Sequence, residues 1–428
     1  MTETHIPGPD ADLLDDCVHC GFCLTGCPTY VLWGEEMDSP RGRIHLMRGL
    51  GEGDVLDAST VRHFDACLGC MACLTTCPSG VRYDALIETT RAQVEDAVRR
   101  PLRERAVRGL VFGLFPRPRR LRSLAPLLRI AQRSGLAERT TRSRLLRRAA
   151  PRLSVLASLA PPLPPAAQSR PPRGARAEGA RRARVALLTG CVQGVMFPGV
   201  NHATQRVLAA EGCDVVVPPR QGCCGALSVH TGRAAEAKRY ARALIAAVEV
   251  AEVDAVITNA AGCGSTLKDY GHLLADEPQW AERAAVFAAK VRDVTELLAQ
   301  LGPRAPRHPI DRTVAYHDAC HLSHAQGVRD QPRRLMRDIP GLRIAEIPDG
   351  DICCGSAGIY NVLNPEPGAE LGELKARNVL ATGADLLVTG NPGCLMQIRR
   401  AMSEHGERLP AMHTVELLDA SIRGTPVG

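Results

Sequence analysis

Eight of the chain's 17 cysteines fall into two runs, CVHCGFCLTGCP from Cys17 to Pro28 and CLGCMACLTTCP from Cys67 to Pro78. Both read C-x2-C-x2-C-x3-C-P. Three thiols two residues apart on a tight loop can each reach a different iron of one cubane, and the x3 step carries the fourth away. Zinc needs only four ligands per ion and has no use for the third C-x2 step or the trailing C-P. Disulfides are disfavoured where thiols are kept reduced, and a chain of 428 residues does not need them as staples. Two iron-sulfur clusters held close together pass single electrons, which is a reason for one phrase to occur twice.

A second set is spread more widely. Cys191, Cys223, Cys224 and Cys263 are followed by Cys320, Cys353, Cys354 and Cys394, with Cys191 to Cys223 separated by 32 positions and Cys320 to Cys353 by 33. Each copy carries a C-C-G triplet and closes on a similar phrase, VTELLA and TVELLDA, so this half is an internal duplication. Eight matched thiols, four per copy, point to a metal or redox site. Cys213 has no counterpart and reads as buried core. His317, His321 and His324 surround Cys320 at helical spacing. They read first as packing, or as hydrogen bonds that tune a neighbouring cluster. Ligation and proton abstraction from a substrate are the alternatives. Lys268, Asp269 and Tyr270 are candidates to line the first crevice, and no residue is assigned a catalytic role.

Positioning these thiols calls for particular elements. The landmarks of the second set follow short apolar, β-branched runs, and helical stretches such as GRAAEAKRYARALIAAVEVA lie between them. That alternation predicts parallel β-α-β units, with the thiols in crevices at the carboxyl edge of each sheet. Gly225 and Gly355, after the paired cysteines, would let the backbone approach a bound cluster. We expect an α+β multidomain chain. A helical two-cluster 4Fe-4S domain would span 1–98, a connector 99–184, and two tandem α/β cysteine-rich repeats 185–310 and 311–428.

The connector holds 23 arginines, no lysine and three acids, Glu104, Glu138 and Glu178, so a chain of formal charge +7 is two acidic bodies joined by a basic segment. Its first part, to residue 153, has the apolar spacing of short amphipathic helices, and 160–184 reads as a flexible linker. The helices serve either as a scaffold packed on the neighbouring domains or as a surface that meets anionic lipid or an acidic partner. Nucleic acid is not expected, because aromatics are scarce and no recognition motif accompanies the charge. The start, MTETHIPGPDADLLDD, lacks a secretory pattern and no run of eighteen apolar residues occurs. The expected location is cytoplasmic, at most peripheral on the inner face of the membrane.

The two cysteine runs resemble those of two-cluster ferredoxins, in which the last cysteine of each run ligates the other cluster. Carried over by position, Cys17, Cys20, Cys23 and Cys77 serve one 4Fe-4S cluster, and Cys67, Cys70, Cys73 and Cys27 the other. The duplicated unit is similar to the cysteine-rich (CCG) domain of the heterodisulfide reductase family. Together with the ferredoxin runs, and on AAGCGSTLKDYGHLL, HDACHLSHAQGVR and ICCGSAGIYNVLNPE, the chain resembles the iron-sulfur subunits of bacterial glycolate oxidases. The resemblance implies a glycolate dehydrogenase complex in which FAD-containing subunits oxidise glycolate to glyoxylate. This subunit would pass the electrons to a quinone or another membrane acceptor and would not oxidise substrate alone. No G-x-G-x-x-G follows a strand, so no nucleotide or flavin site is expected in the chain itself. Related subunits serve lactate utilisation and anaerobic glycerol-3-phosphate oxidation, and a self-contained thiol or quinone reductase is a further alternative. In the heterodisulfide reductase type each copy ends in C-x2-C, whereas here Thr266 and Gln397 occupy that spacing, leaving four thiols per site for further clusters.

Overall fold

The computed structural model describes residues 4–136, 138, 139, 143 and 148–427. Its N-terminal part is helical: α1 (Ala11–Asp15), α2 (Pro28–Trp33), α3 (Pro40–Gly51), α4 (Ala58–Ala66), α5 (Ala72–Thr76) and α6 (Tyr83–Ala97). Pro28 occupies the first turn of α2, where its missing N–H has no helical partner to lose. Met47, Phe64, Leu86 and Ile87 are fully buried at the centre, so α3, α4 and α6 clamp the two cysteine loops from behind.

The connector forms α7 (Leu102–Leu114), α8 (Pro118–Arg133) and a helix Pro151–Leu159. Part of its predicted helical stretch, at 137, 140–142 and 144–147, lies outside the described residues. Val111 and Phe112 of α7 pack on Ile359 and Leu227, one from each repeat, while Leu121 and Ala125 of α8 pack on Val195. The scaffold reading therefore describes the buried face of these helices. The stretch 160–184, which reads as a flexible linker, is hydrogen-bonded at both ends. Arg129 and Gln132 of α8 donate to the carbonyls of Pro164 and Pro161. Ala175 forms a bridge with Val215, and the Ala177 N–H is held by Asp214. Proline and arginine here satisfy the backbone against neighbouring elements, which composition alone does not reveal.

Each repeat is a four-stranded parallel sheet. The first comprises β1 (Ala183–Leu187), β2 (Cys213–Val216), β3 (Ala255–Thr258) and β4 (Val291–Asp293), in the order β2-β1-β3-β4. The second comprises β5 (Arg312–His317), β6 (Leu342–Glu346), β7 (Leu386–Thr389) and β8 (Ala411–His413), in the order β6-β5-β7-β8. The matching order is the duplication made physical. Val185, Leu187 and Ile257 of one sheet share a core with Val314, Tyr316 and Val388 of the other, and Cys213 is buried in that same core. The closing phrases are capping boxes: Asp293 and His413 each accept from a backbone N–H of the helix that follows, while Glu296 and Glu416 reach back to the cap. Among the described residues no helix is long and apolar enough to cross a membrane.

Candidate iron-sulfur sites

The two ferredoxin-type loops share an unusual backbone. His19 and Gly21 in the first, and Gly69 and Met71 in the second, have positive φ at matched offsets from Cys17 and Cys67. Left-handed residues alternating with ordinary ones curl a loop so that its thiols face one centre, and for His19 and Met71 that conformation carries a strain that marks functional backbone. Cys17, Cys20, Cys23, Cys73 and Cys77 line one small cavity with Pro78 and Tyr83. Cys27 lies against the second run. Burial, then Cys320, then Cys27 and Cys67 push the Cys70 thiol well up, and burial followed by Cys70, Cys67 and Cys27 does the same for Cys73. Cys77 thus stands beside the first run and Cys27 beside the second, with Cys73 facing the first cavity as well.

Burial works to raise the Cys67 thiol, but the guanidiniums of Arg43 and Arg91, the Gly69 N–H and the Tyr83 hydroxyl outweigh it and leave its pKa below the ordinary range. Arg43 is itself fully buried, pairs with Asp38 at 3.2 Å and donates to the His63 carbonyl at 2.7 Å. Arg91 donates to the Cys67 and His230 carbonyls, which ties the second loop to the first repeat. Two buried cations beside these sulfurs favour thiolates, the form that binds iron.

In the first repeat, Cys191 follows β1, Cys223 and Cys224 follow β2, and Cys263 lies in the helix after β3. All four therefore sit at the carboxyl edge of the sheet. The Sγ atoms of Cys191 and Cys223 are 3.6 Å apart and those of Cys224 and Cys263 3.1 Å. Hydrogen bonds from Cys223 and Cys263 hold Cys224 well below the thiol range. Leu188, Leu244 and Ala260 line this crevice together with Gln193, Gln221 and Asn259. Lys268 and Asp269 do not belong to it. They line a separate cavity of about 340 Å³ with Arg82, Asp84 and Glu88, and Lys268 is paired with Glu296 at 2.7 Å. Tyr270 is core, its hydroxyl donating to the Cys224 carbonyl at 2.7 Å. The break between two helices at Asp269 separates Tyr270 from Lys268 and Asp269.

The second repeat places Cys320, Cys353, Cys354 and Cys394 in the same way, with Cys320 and Cys353 3.9 Å apart. Its surroundings are polar. Ligand atoms of His317, Cys354 and Cys394, all buried, lie within 4.8 Å of one another. Asn391 donates to the Cys394 Sγ at 3.3 Å, and the Cys320 Sγ lies 3.5 Å from His321 Nδ1. Lys375 is buried among these thiols and anchored on the Asp349 carbonyl at 2.8 Å; burial lowers its pKa against the pull of Cys354 and Cys353. His324 instead bridges to Thr75 of α5 at 2.7 Å, and His321 packs against His230 with ring centroids 4.8 Å apart and planes tilted by 53°. The three histidines therefore have three different tasks.

Gly225 and Gly355 both have φ of +83°. A Cβ on Gly355 would stand 2.7 Å from the Gly368 carbonyl and one on Gly225 3.3 Å from that of Ala237, while the Gly225 N–H donates to the Cys223 Sγ at 3.3 Å. Thr266 and Gln397 are buried and engaged elsewhere, Gln397 donating to the Gly368 carbonyl at 2.6 Å and accepting from Asn361 at 2.8 Å. Arg43, Arg91 and Lys375 escape sequence reasoning, because each stands in an ordinary polar helix and meets its thiols only through long-range packing.

The second ferredoxin-type loop rests on the second repeat. Leu68, Cys70 and Ala72 share one buried cluster with Cys320, Cys353 and Tyr360. Soft thiols in converging, buried sets, compensated by buried cations, fit iron-sulfur clusters.

Comparison with known proteins agrees with this arrangement. Residues 13–81 match the 4Fe-4S dicluster domain family, 103–160 the linker region of glycolate oxidase iron-sulfur subunits, and 185–268 and 314–399 the cysteine-rich domain family. A probable glycolate oxidase iron-sulfur subunit of Bacillus subtilis is 40% identical over 96% of this chain and 94% of its own length. The glycolate oxidase iron-sulfur subunit of Escherichia coli is 34% identical over the same shares. Lactate utilization protein A of Oceanobacillus iheyensis is 32% identical, but over 56% of this chain. The protein is an iron-sulfur electron-transfer subunit, and the chain belongs to the family of glycolate oxidase iron-sulfur subunits.

Proposed function

We propose that this chain collects electrons from FAD-containing partner subunits that oxidise glycolate to glyoxylate, and delivers them one at a time to a quinone at the membrane. The observation that carries the reading is the seat of the second ferredoxin-type loop on the second repeat, where Cys70 and Cys320 share one buried cluster. In this reading Cys17, Cys20, Cys23 and Cys77 hold one 4Fe-4S cluster and Cys67, Cys70, Cys73 and Cys27 the next. Cys320, Cys353, Cys354 and Cys394 hold the following centre, and Cys191, Cys223, Cys224 and Cys263 a parallel one. A flavin gives up two electrons and each cluster carries one, so a relay of clusters matches donor to acceptor.

Two features support a membrane acceptor. A cavity of about 1300 Å³ opens beside this relay, walled by Trp33, Val61, Ala66, Leu153, His63 and Tyr360. It is large enough for a quinone ring with part of its tail, and its wall mixes these apolar residues with Arg62, Asp65, Arg103 and Arg152. The outer face of α8 exposes Leu124, Leu127 and Ile130 beside Arg119, Arg120 and Arg133, the pattern of a helix that lies on an anionic lipid surface. Anaerobic purification of the complex from the native host tests the reading. We expect a flavoprotein to copurify, glycolate to bleach its flavin, and the iron-sulfur absorbance to fall afterwards. Bleaching by lactate or glycerol 3-phosphate alone would overturn the substrate, and absence of any flavin partner would overturn the whole assignment.

A further inference from the structure

We infer that the second repeat holds its cluster through four thiolates and one nitrogen, the nitrogen being that of His317; this rests on the reading above that the repeats bind clusters. His317 is the last residue of β5 and lies three positions before Cys320, so the sheet edge fixes its ring beside the thiols. It is 1% exposed, and the Cys354 thiol lies within reach of one ring nitrogen; no other hydrogen-bond partner surrounds it. A buried imidazole aimed at a thiol, with its second nitrogen unsatisfied, is the arrangement of a side chain that can give its lone pair to a metal the thiol also holds. Its ligand atom lies within 4.8 Å of those of Cys354 and Cys394, which places the candidate acceptor between these three side chains. The other two thiols, Cys320 and Cys353, pair with each other on the far side of the C-C step.

The first repeat supplies the internal control. The residue three positions before Cys191 is Leu188, which offers no donor. Asn391, three before Cys394, corresponds to Ala260, and Lys375 corresponds to Leu244, the eleventh residue in each of two sixteen-residue helices. These three nitrogen-bearing side chains thus occur together in one copy and are replaced together by apolar ones in the other. A neutral imidazole leaves a cluster less negative than thiolates alone and raises its reduction potential, as replacement of cysteine by histidine does in Rieske centres. The buried Lys375 ammonium acts in the same direction. The second repeat is therefore the higher-potential site of the pair, next to the loop that feeds it.

The full chain, purified anaerobically with its clusters, provides the test. Iron and sulfide beyond the content of the two ferredoxin-type clusters establish that the repeats are loaded. Pulsed EPR of the reduced protein should then show the strong nitrogen coupling of a directly bound imidazole. His317→Leu, which copies the first repeat, and His317→Cys, which retains a donor, should both abolish that coupling and lower the midpoint potential of one cluster. His321→Leu should leave the coupling in place. Excess iron without nitrogen coupling, or a coupling that survives both His317 variants, would overturn the inference alone. Absence of excess iron would overturn the cluster reading of the repeats and the inference with it.

Discussion

The two cysteine-rich repeats have the same strand order, the same four thiols at the same edge and the same left-handed glycine after the C-C pair. They differ in three matched side chains around those thiols. The first crevice is closed by Leu188, Leu244 and Ala260, whereas the second brings His317, Lys375 and Asn391 to its thiols and has the second ferredoxin-type loop against it. Duplication preserved the backbone that aims the donors, and divergence acted on the charge and hydrogen bonding around them. One scaffold thus yields two centres of different potential, which an electron relay can use and a symmetric storage site has no need of.

The comparison breaks most visibly at the thiols. Cys354→Ser should lower substrate-driven electron delivery in the assembled complex by at least ~10–100-fold, the range that loss of an outer-sphere contact alone can reach. Cys224→Ser, in the copy whose thiols share no buried cluster with the ferredoxin-type loop, should cost much less. Equal losses in steady-state turnover would show that both repeats lie on one path.

A smaller contrast concerns the glycines. Gly355→Ala forces a left-handed alanine onto the Gly368 carbonyl and the Leu371 side chain, and we expect about 3–4 kcal/mol of destabilisation by denaturant unfolding. Gly225→Ala has the same backbone strain with a looser contact, 3.3 Å, and should cost about 1–2 kcal/mol.

Next come the two helix caps, which should respond to acid with opposite sign. Burial pushes Asp293 up to about 6, above its unfolded value, so its contribution is complete below the unfolded pKa and fades as pH rises through 6. Burial holds His413 down at about 4, so its contribution is complete above the unfolded value near 6.5 and is lost as pH falls toward 4. Between pH 7 and pH 5 each term amounts to about 1–2 kcal/mol. Relative to the parent chain, Asp293→Asn should lose stability and His413→Asn gain it on acidification, measured by chemical denaturation at the two pH values. Parallel shifts would contradict the assignment. The smallest effect belongs to the thiol outside the pattern: Cys213→Ala should cost about 1 kcal/mol and leave the iron content unchanged.

Much of this was legible because cysteine spacing is local. The C-x2-C-x2-C-x3-C-P runs, the duplicated landmarks and the strand-then-thiol order led directly to the parallel sheets and to the edge where the thiols gather. What surrounds the thiols was less legible. Lys375 sits in LGELKARN, which has the composition of a solvent-facing helix, and only packing of that helix onto the second sheet buries it. Arg91 meets Cys67 across 24 positions and His230 across 139. The helix backbone that packs on Gly225 and Gly355 is likewise illegible, because it arrives from more than ten residues away in sequence. Lys268 and Asp269 were placed in the first crevice from adjacency to Cys263, and helical rotation turns them to another cavity.

The central claim is that the second ferredoxin-type cluster is wired to the second repeat and not to the first. EPR of the fully reduced chain tests it through magnetic coupling between centres. The account predicts that the signal of the Cys67, Cys70, Cys73 and Cys27 cluster is split by a neighbouring centre, and that Cys353→Ser removes the splitting while Cys223→Ser retains it. A splitting that disappears with Cys223→Ser and survives Cys353→Ser would contradict it.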